Sequence, residues 1–206
     1  MADKLKIYGI ARSRAWRNYW AAEEAGVAYE MVETNWSDGG TKKAEFLAIN
    51  PSGAVPALTD GPFAMSESLA INLYLARKGK GIYPANPQDE AKTWQWTLLA
   101  AIDLEKQLAT YVTNALAGPA DKRDAAKAAE AWKQVEKPLS VLDGALKGRD
   151  YLLGSAFSVA DLNVACICYN AWFNKADFGR WPALKAWLDR CLTRPACAKI
   201  RKLREG

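Results

Sequence analysis

Between residues 50 and 75 the sequence NPSGAVPALTDGPFAMSESLAINLYL sets out a turn, a Val-Pro step, a short hairpin and a helix start in succession. Asn50-Pro51-Ser52-Gly53 is a loop signal, since proline fixes one dihedral and glycine permits a positive φ. Val55-Pro56-Ala57-Leu58 is apolar enough for a buried strand, yet Pro56 cannot donate to a ladder, so backbone groups near it stay available to a ligand. Thr59-Asp60-Gly61-Pro62 reads as the hairpin turn and Phe63-Ala64-Met65 as the second strand. Ser66-Glu67-Ser68 then opens a helix, and free N–H groups with the positive end of the helix dipole can receive an anion there. The same residues also suit an ordinary N-cap.

The composition removes several chemistries. The chain has no histidine, which takes away the commonest general base, the Ser-His-Asp triad and most zinc and haem ligand sets. Its four cysteines, Cys166, Cys168, Cys191 and Cys197, are confined to helical-looking sequence near the C-terminus. They form no Cys-x-x-Cys pair and no spread framework of disulfides, so they read as small buried hydrophobes in a reducing cytoplasm. No metal site is expected. The start, MADKLKIYG, runs straight into a strand-like pattern, and no apolar run is long enough for a membrane span, so a cytoplasmic chain without membrane contact is expected. The net charge of +5 ends in the basic run 199–204, which reads as a solvated helix end rather than a nucleic-acid patch.

Those residues must be carried by two differently built halves. Leu5 to Tyr8 alternates as a strand, residues 9–14 form a loop, 16–25 a helix closed by Gly26, and 29–32 a second strand. Residues 36–41 suit a mobile loop and 43–49 a short helix leading to Asn50, which gives βαβ, α, then ββα. This is a thioredoxin-like arrangement, α/β in class, over residues 1–79. Residues 80–87 read as a linker, and residues 88–206 as an all-helical bundle with helices over 89–116, 121–146, 159–173, 182–192 and 196–203. Ser158-Val159-Ala160-Asp161 is a capping box, a structural motif whose loss should damage folding before activity.

With NPSGAVPAL, ESLAINLYLA and SVADLNVA on the page, the chain resembles the cytosolic glutathione S-transferase superfamily over essentially its whole length. The resemblance implies a cis Val55-Pro56 bond, with the backbone of Val55 open to the cysteinyl part of glutathione. It implies that Glu67 and Ser68 hold the γ-glutamyl amine and carboxylate, roles that suit an acceptor and a hydroxyl donor at a helix start. It places the thiol beside the loop 9–14, where Ser13 would be the catalytic residue by donating a hydrogen bond to the thiolate; such help is needed because a free thiol of pKa about 8.5 is only a few per cent ionised at neutral pH.

Alternatives stay open at several of these positions. Ser13 could only cap the helix after it, accepting from the backbone of Trp16. Tyr8 is another donor used in some branches, and Arg12, Arg14 and Arg17 could assist the thiolate or simply face solvent. Lys43, or the adjacent Lys42, would reach the glycyl carboxylate, with Trp36 lining the same pocket. Asp103 would reach across a two-fold homodimer to the partner's ligand. An apolar electrophile would meet the helical domain near Tyr111 and Trp172. The implied activity is conjugation of reduced glutathione, with reduction of hydroperoxides as a side activity. The rival is a non-catalytic interaction or regulatory protein of the same fold.

Overall fold

Leu5 and Ile7 are buried while Lys6 and Tyr8 are half-exposed, and this period of two makes β1 (Leu5–Tyr8) a strand with one face on a core. The computed structural model describes residues 4–206. After β1 come α1 (Ala15–Ala25), β2 (Tyr29–Val32), a 3-10 turn at Gly40–Lys42, α2 (Ala44–Leu47), β3 (Ala57–Asp60), β4 (Phe63–Ser66) and α3 (Ser68–Lys78). The sheet order is β2-β1-β3-β4. β1 runs parallel to β2, with Leu5 opposite Tyr29, and antiparallel to β3, with Ile7 opposite Leu58. β4 closes the hairpin, with Asp60 opposite Phe63. This is the expected βαβ then ββα order, and α1 packs on α3.

Trp16 and Trp20 lie one turn apart on the buried side of α1, their rings stacked 5.9 Å between centroids. With Ile7, Leu58, Ile71 and Leu75 they make the core of this unit, and each such side chain contributes about 1.5–3 kcal/mol on burial. Gly26 ends α1 in the left-handed region at φ +65°, as its place after Ala25 predicts.

The chain divides into two compact units, one running to Tyr83 and resumed at Arg194–Gly206, the other Pro84–Thr193. The last helix, α9 (Pro195–Glu205), therefore belongs with the sheet, where it packs on α1, rather than with the helical domain in which its sequence position puts it. The basic run 199–204 is docked rather than uniformly solvated: Lys199 pairs with Glu23, Arg201 with Glu205, and Arg204 is half-buried.

The second unit is helical throughout. α4 (Pro87–Leu99), a π-helical segment Ala100–Leu104, α5 (Glu105–Tyr111) and a second π segment Val112–Ala117 follow without a break; α6 (Ala125–Leu146), α7 (Val159–Phe173) and α8 (Pro182–Leu192) complete it. Side-chain oxygens set the starts: Asn86 accepts from Asp89 N–H and Asp124 from Lys127 N–H, both at 2.9 Å. Asp143 of α6 accepts from the N–H groups of Ala183 and Leu184, tying α6 to the first turn of α8. α7 is buried almost all round, as its apolar sequence predicts. Among the described residues no helix is long and apolar enough to cross a membrane.

Candidate functional site

Gly9 ends β1 with φ +143°, and its N–H donates to the Val32 carbonyl while its own carbonyl accepts from the buried Tyr19 hydroxyl at 2.8 Å. Burial, helped by Glu33, pushes the Tyr19 phenol up, so it stays a proton donor. There is no room for a side chain here: a Cβ on Gly9 would fall 2.6 Å from Ala15 Cβ, 3.1 Å from Ser13 Oγ and 3.5 Å from Val55 Cβ. Ser13 and Val55, 42 residues apart in sequence, thus flank one corner.

The Ser13 hydroxyl donates to the Ile10 carbonyl at 2.7 Å and accepts from Ala15 N–H at 3.1 Å. Ala15 is a capping partner of this oxygen, and the Trp16 N–H donates to the Ser13 carbonyl at 3.5 Å. The N–H donated to its oxygen polarises the hydroxyl, and rotating its proton from Ile10 to a better acceptor leaves that capping bond in place. The loop Asn50-Pro51-Ser52-Gly53 is held by Asn50, which donates to the Ala54 carbonyl at 2.7 Å and accepts from Ser52. The Val55-Pro56 bond is cis. The strand that the VPAL run predicts starts two residues later, at Ala57, which leaves Val55 half-buried ahead of the ladder.

Glu67 is an exposed non-glycine residue at φ +71°, directly before α3. Such a conformation costs about 1–3 kcal/mol and is kept where the surroundings over-determine it. It makes no side-chain cap, so the ordinary N-cap role is not the one this carboxylate plays. Behind it lies a buried polar cluster. Arg17, only 6 % exposed, donates to Ser68 Oγ at 3.1 Å; Asn18 donates to the Ser68 carbonyl and to Asn72, each at 2.7 Å. Ser68 Oγ accepts from the guanidinium, which ties this hydroxyl at the start of α3 to α1.

Of the two roles open to Arg12, Arg14 and Arg17, a place in solvent does not hold for Arg17. Arg12 and Arg14 are exposed, but Arg17 lies one helical turn after Ser13, on the face of α1 that meets α3. The signal in the sequence is that spacing, with Asn18 beside Arg17 between the aromatic residues of α1.

Tyr8 is turned elsewhere: its hydroxyl meets Thr59 Oγ1 at 3.4 Å and its ring faces Phe46. Of the two lysines, Lys43 lines a cavity of about 320 Å³ with Tyr8, Thr34 and Phe46, whereas Lys42 reaches the Gly53 turn, its Nζ 3.3 Å from where a Gly53 Cβ would stand. Trp36 is exposed.

In the helical unit, Asp103 is exposed on the first π segment and lines a second cavity, about 380 Å³, with Ile102, Gln107, Lys137 and Val141. Tyr111 packs on Trp132 with 4.3 Å between ring centroids, and Trp172 Nε1 donates to Asp189 at 2.6 Å. Ser158 and Asp161 form the predicted capping box, and Asp161 also receives the Leu152 N–H and the Trp187 indole N–H. The cysteines are buried and form no disulfide, and burial pushes the Cys168 thiol up to about 12, so it is inert.

Two family models match the sequence: the glutathione S-transferase N-terminal domain over residues 3–77 and its C-terminal domain over residues 104–195. The chain belongs to the glutathione S-transferase family. It is 32% identical to glutathione S-transferase 1 of Zea mays over 206 residues, covering 97% of this chain and 96% of that one. Among solved structures it is similar to maize glutathione S-transferase I in complex with an atrazine glutathione conjugate, with a TM-score of 0.88 at 30% identity over 98% of this chain and 99% of the other. It is also similar to the theta class enzyme of Xanthomonas axonopodis pv. citri with glutathione bound, with a TM-score of 0.85 at 33% identity over 97% of each chain. The fold of the glutathione S-transferases, a thioredoxin-like unit followed by helices, is the one expected from the sequence.

Proposed function

We propose that the chain binds reduced glutathione on its sheet unit, holds the sulfur as a thiolate against Ser13, and adds it to small electrophiles. The observation that carries this reading is the corner at Gly9, which the Ser13 hydroxyl and the residue before the cis proline both flank. The backbone of Val55 pairs with the cysteinyl portion of the peptide. Glu67 accepts from the γ-glutamyl ammonium, and the first turn of α3 with the Ser68 hydroxyl takes the carboxylate. Arg17 orients that hydroxyl from behind. Lys42, with Lys43 beside it, answers the glycyl carboxylate, and Lys42 is preferred because its ammonium already stands at the turn leading into Val55.

The Ser13 hydroxyl leaves the Ile10 carbonyl and donates to the sulfur. A hydrogen bond to a charged acceptor is worth about 1.5–3 kcal/mol, and one pKa unit corresponds to about 1.4 kcal/mol, so the bound thiol falls by about one to two units from an ordinary value near 8.5. At neutral pH the thiolate then makes up about a quarter or more of the bound peptide rather than a few per cent. No general base or metal is needed, and the same thiolate can reduce a hydroperoxide.

The working unit is a homodimer built on the helical unit. Trp94, Leu98 and Ile102 are exposed along α4 and the segment after it, and Val141 is exposed on α6. Asp103 stands beside this surface, where it can serve a ligand bound to the partner subunit.

Calorimetry of glutathione binding tests the reading. The native chain should bind, and Glu67→Gln should weaken binding about tenfold or more, as expected for losing a charge-assisted bond to an ammonium. Absence of binding by the native chain would leave the fold as an interaction module and overturn the proposal.

A further inference from the structure

The C-terminus returns to the loop that carries Ser13, and the contacts there are built. Arg194 makes two bonds to the largely buried Glu24 carboxylate, at 2.8 and 2.7 Å, and the same carboxylate accepts from Trp20 Nε1 at 2.9 Å. Lys199 adds a pair with Glu23, and Cys197 and Ile200 are buried. α9 is thereby fixed along α1. At its far end Arg204 Nη1 donates to the carbonyls of Ala11 and Ser13, at 3.1 and 3.2 Å, while its guanidinium lies 5.5 Å from the Trp16 ring centroid. Arg12 reaches back to the Gly206 carbonyl at 3.3 Å.

We propose that Arg204 is a positioning residue for thiol activation: by gripping the carbonyls of Ala11 and Ser13 and stacking on Trp16, it fixes the backbone that aims the Ser13 hydroxyl. This rests on the role given to Ser13 above. The orientation of Ser13 Oγ follows from two local contacts, Ile10 O and Ala15 N–H, which are set by the peptide planes on either side of Ser13. Regular secondary structure begins only at Ala15, so Ala11–Ser13 lies outside the α1 ladder. Arg204 supplies an outside grip on two of its carbonyls, and a planar, always charged fork on an aromatic face is suited to that task where lysine is not. Losing it frees the loop to rotate without touching Glu67 or Ser68. A donor displaced by about an ångström loses most of its bond to the thiolate.

The test is the thiolate absorbance of bound glutathione, titrated with pH, in the native chain, Ser13→Ala, Arg204→Met, Arg204→Lys and Arg194→Met, with the glutathione Kd and melting temperature of each. Arg204→Met should raise the bound thiol pKa by about one unit and lower kcat about three- to eightfold at neutral pH, with Kd changed less than threefold. Arg204→Lys should fall between the two, also with Kd held. Arg194→Met loosens α9 without touching the loop, so it should lower the melting temperature and leave the pKa within a few tenths. A shift with Ser13→Ala but none with either Arg204 variant overturns the proposal for Arg204 alone. A common loss of binding and stability in the Arg204 variants, with the pKa of the remaining complex unmoved, reduces Arg204 to a structural residue and also overturns it. An undepressed thiol in the native chain, or no change on Ser13→Ala, overturns the reading of Ser13 and this inference with it.

Discussion

Replacing Asp161 should cost the fold far more than it costs the chemistry, and the size of that cost follows from four donors. The carboxylate is fully buried and accepts from Leu152 N–H at 2.8 Å, Ser158 N–H at 2.9 Å, the Ser158 hydroxyl at 2.8 Å and Trp187 Nε1 at 2.9 Å. It therefore joins the loop before α7, the start of α7 and the side of α8. Burial pushes this carboxyl above the ordinary carboxylate range, and the four donors pull it back. In Asp161→Ala, three donors that cannot rotate to solvent (two backbone N–H groups and an indole) are stranded. Each unsatisfied buried donor costs about 1–3 kcal/mol, and relief of the desolvated charge offsets part of the sum, so a net loss of about 3–5 kcal/mol is expected. Against a domain stability of about 5–15 kcal/mol that is about a fifth or more of the total. Urea unfolding followed by far-UV circular dichroism measures it as a lower midpoint at an unchanged slope. Ser158→Ala alone should cost about 1 kcal/mol, and less when Asp161 is already alanine, because the bond from the Ser158 hydroxyl to the carboxylate is gone while its cap on the backbone N–H of residue 161 remains. A loss below about 1 kcal/mol in Asp161→Ala, or additive losses in the double variant, would refute the accounting.

Two further outcomes follow from the surface. Ile102, 71% exposed, lies at the centre of the apolar patch on the helical unit, so Ile102→Lys should weaken the homodimer about thirtyfold or more in sedimentation equilibrium, from the loss of about 2–3 kcal/mol of apolar burial; a native chain that sediments as a monomer contradicts this. Asp60 accepts from Lys78 and Tyr74, and these bonds, Lys78 first, hold its carboxyl below the ordinary 3.8. With the folded value below the unfolded one, its contribution is present above about pH 4 and fades as the pH falls through the folded value, so native and Asp60→Asn chains should converge in stability on acidification. A difference that persists at pH 2 would point to packing instead.

Much of this was legible from local pattern. β1, α1 with its Gly26 cap, β2, the αββα order and the capping box of α7 are set by short-range periodicity and by residue types with one conformational meaning. β3 starts two residues later than its composition suggests, because VPAL has strand composition while Thr59 and Asp60 look like turn residues. In the fold, Pro56 cannot join the ladder, and the turn closes on Gly61 and Pro62 alone. The fine structure of the site was less legible because its partners are distant in sequence. Ser13 and Val55 come to flank Gly9 only once β1 and β3 pair, and Ser68 and Asn72 of α3 complete a polar cluster with the buried Arg17 and Asn18. The return of α9 to α1 rests on Arg194, Lys199 and Arg204 meeting groups about 170–190 residues away, which no window of the sequence displays. A basic run near a chain end reads as solvated unless its partners are known.

The central claim is that this chain holds glutathione as a thiolate and that the Ser13 hydroxyl does the holding. The most direct measurement is the pKa of the bound thiol, read from thiolate absorbance under saturating glutathione, for the native chain and Ser13→Ala. The account predicts a native value about one to two units below the free thiol, near 6.5–7.5, returning most of the way to about 8.5 in the variant while glutathione still binds. A native value equal to that of the free thiol, or a depressed value that Ser13→Ala leaves unmoved, would contradict it.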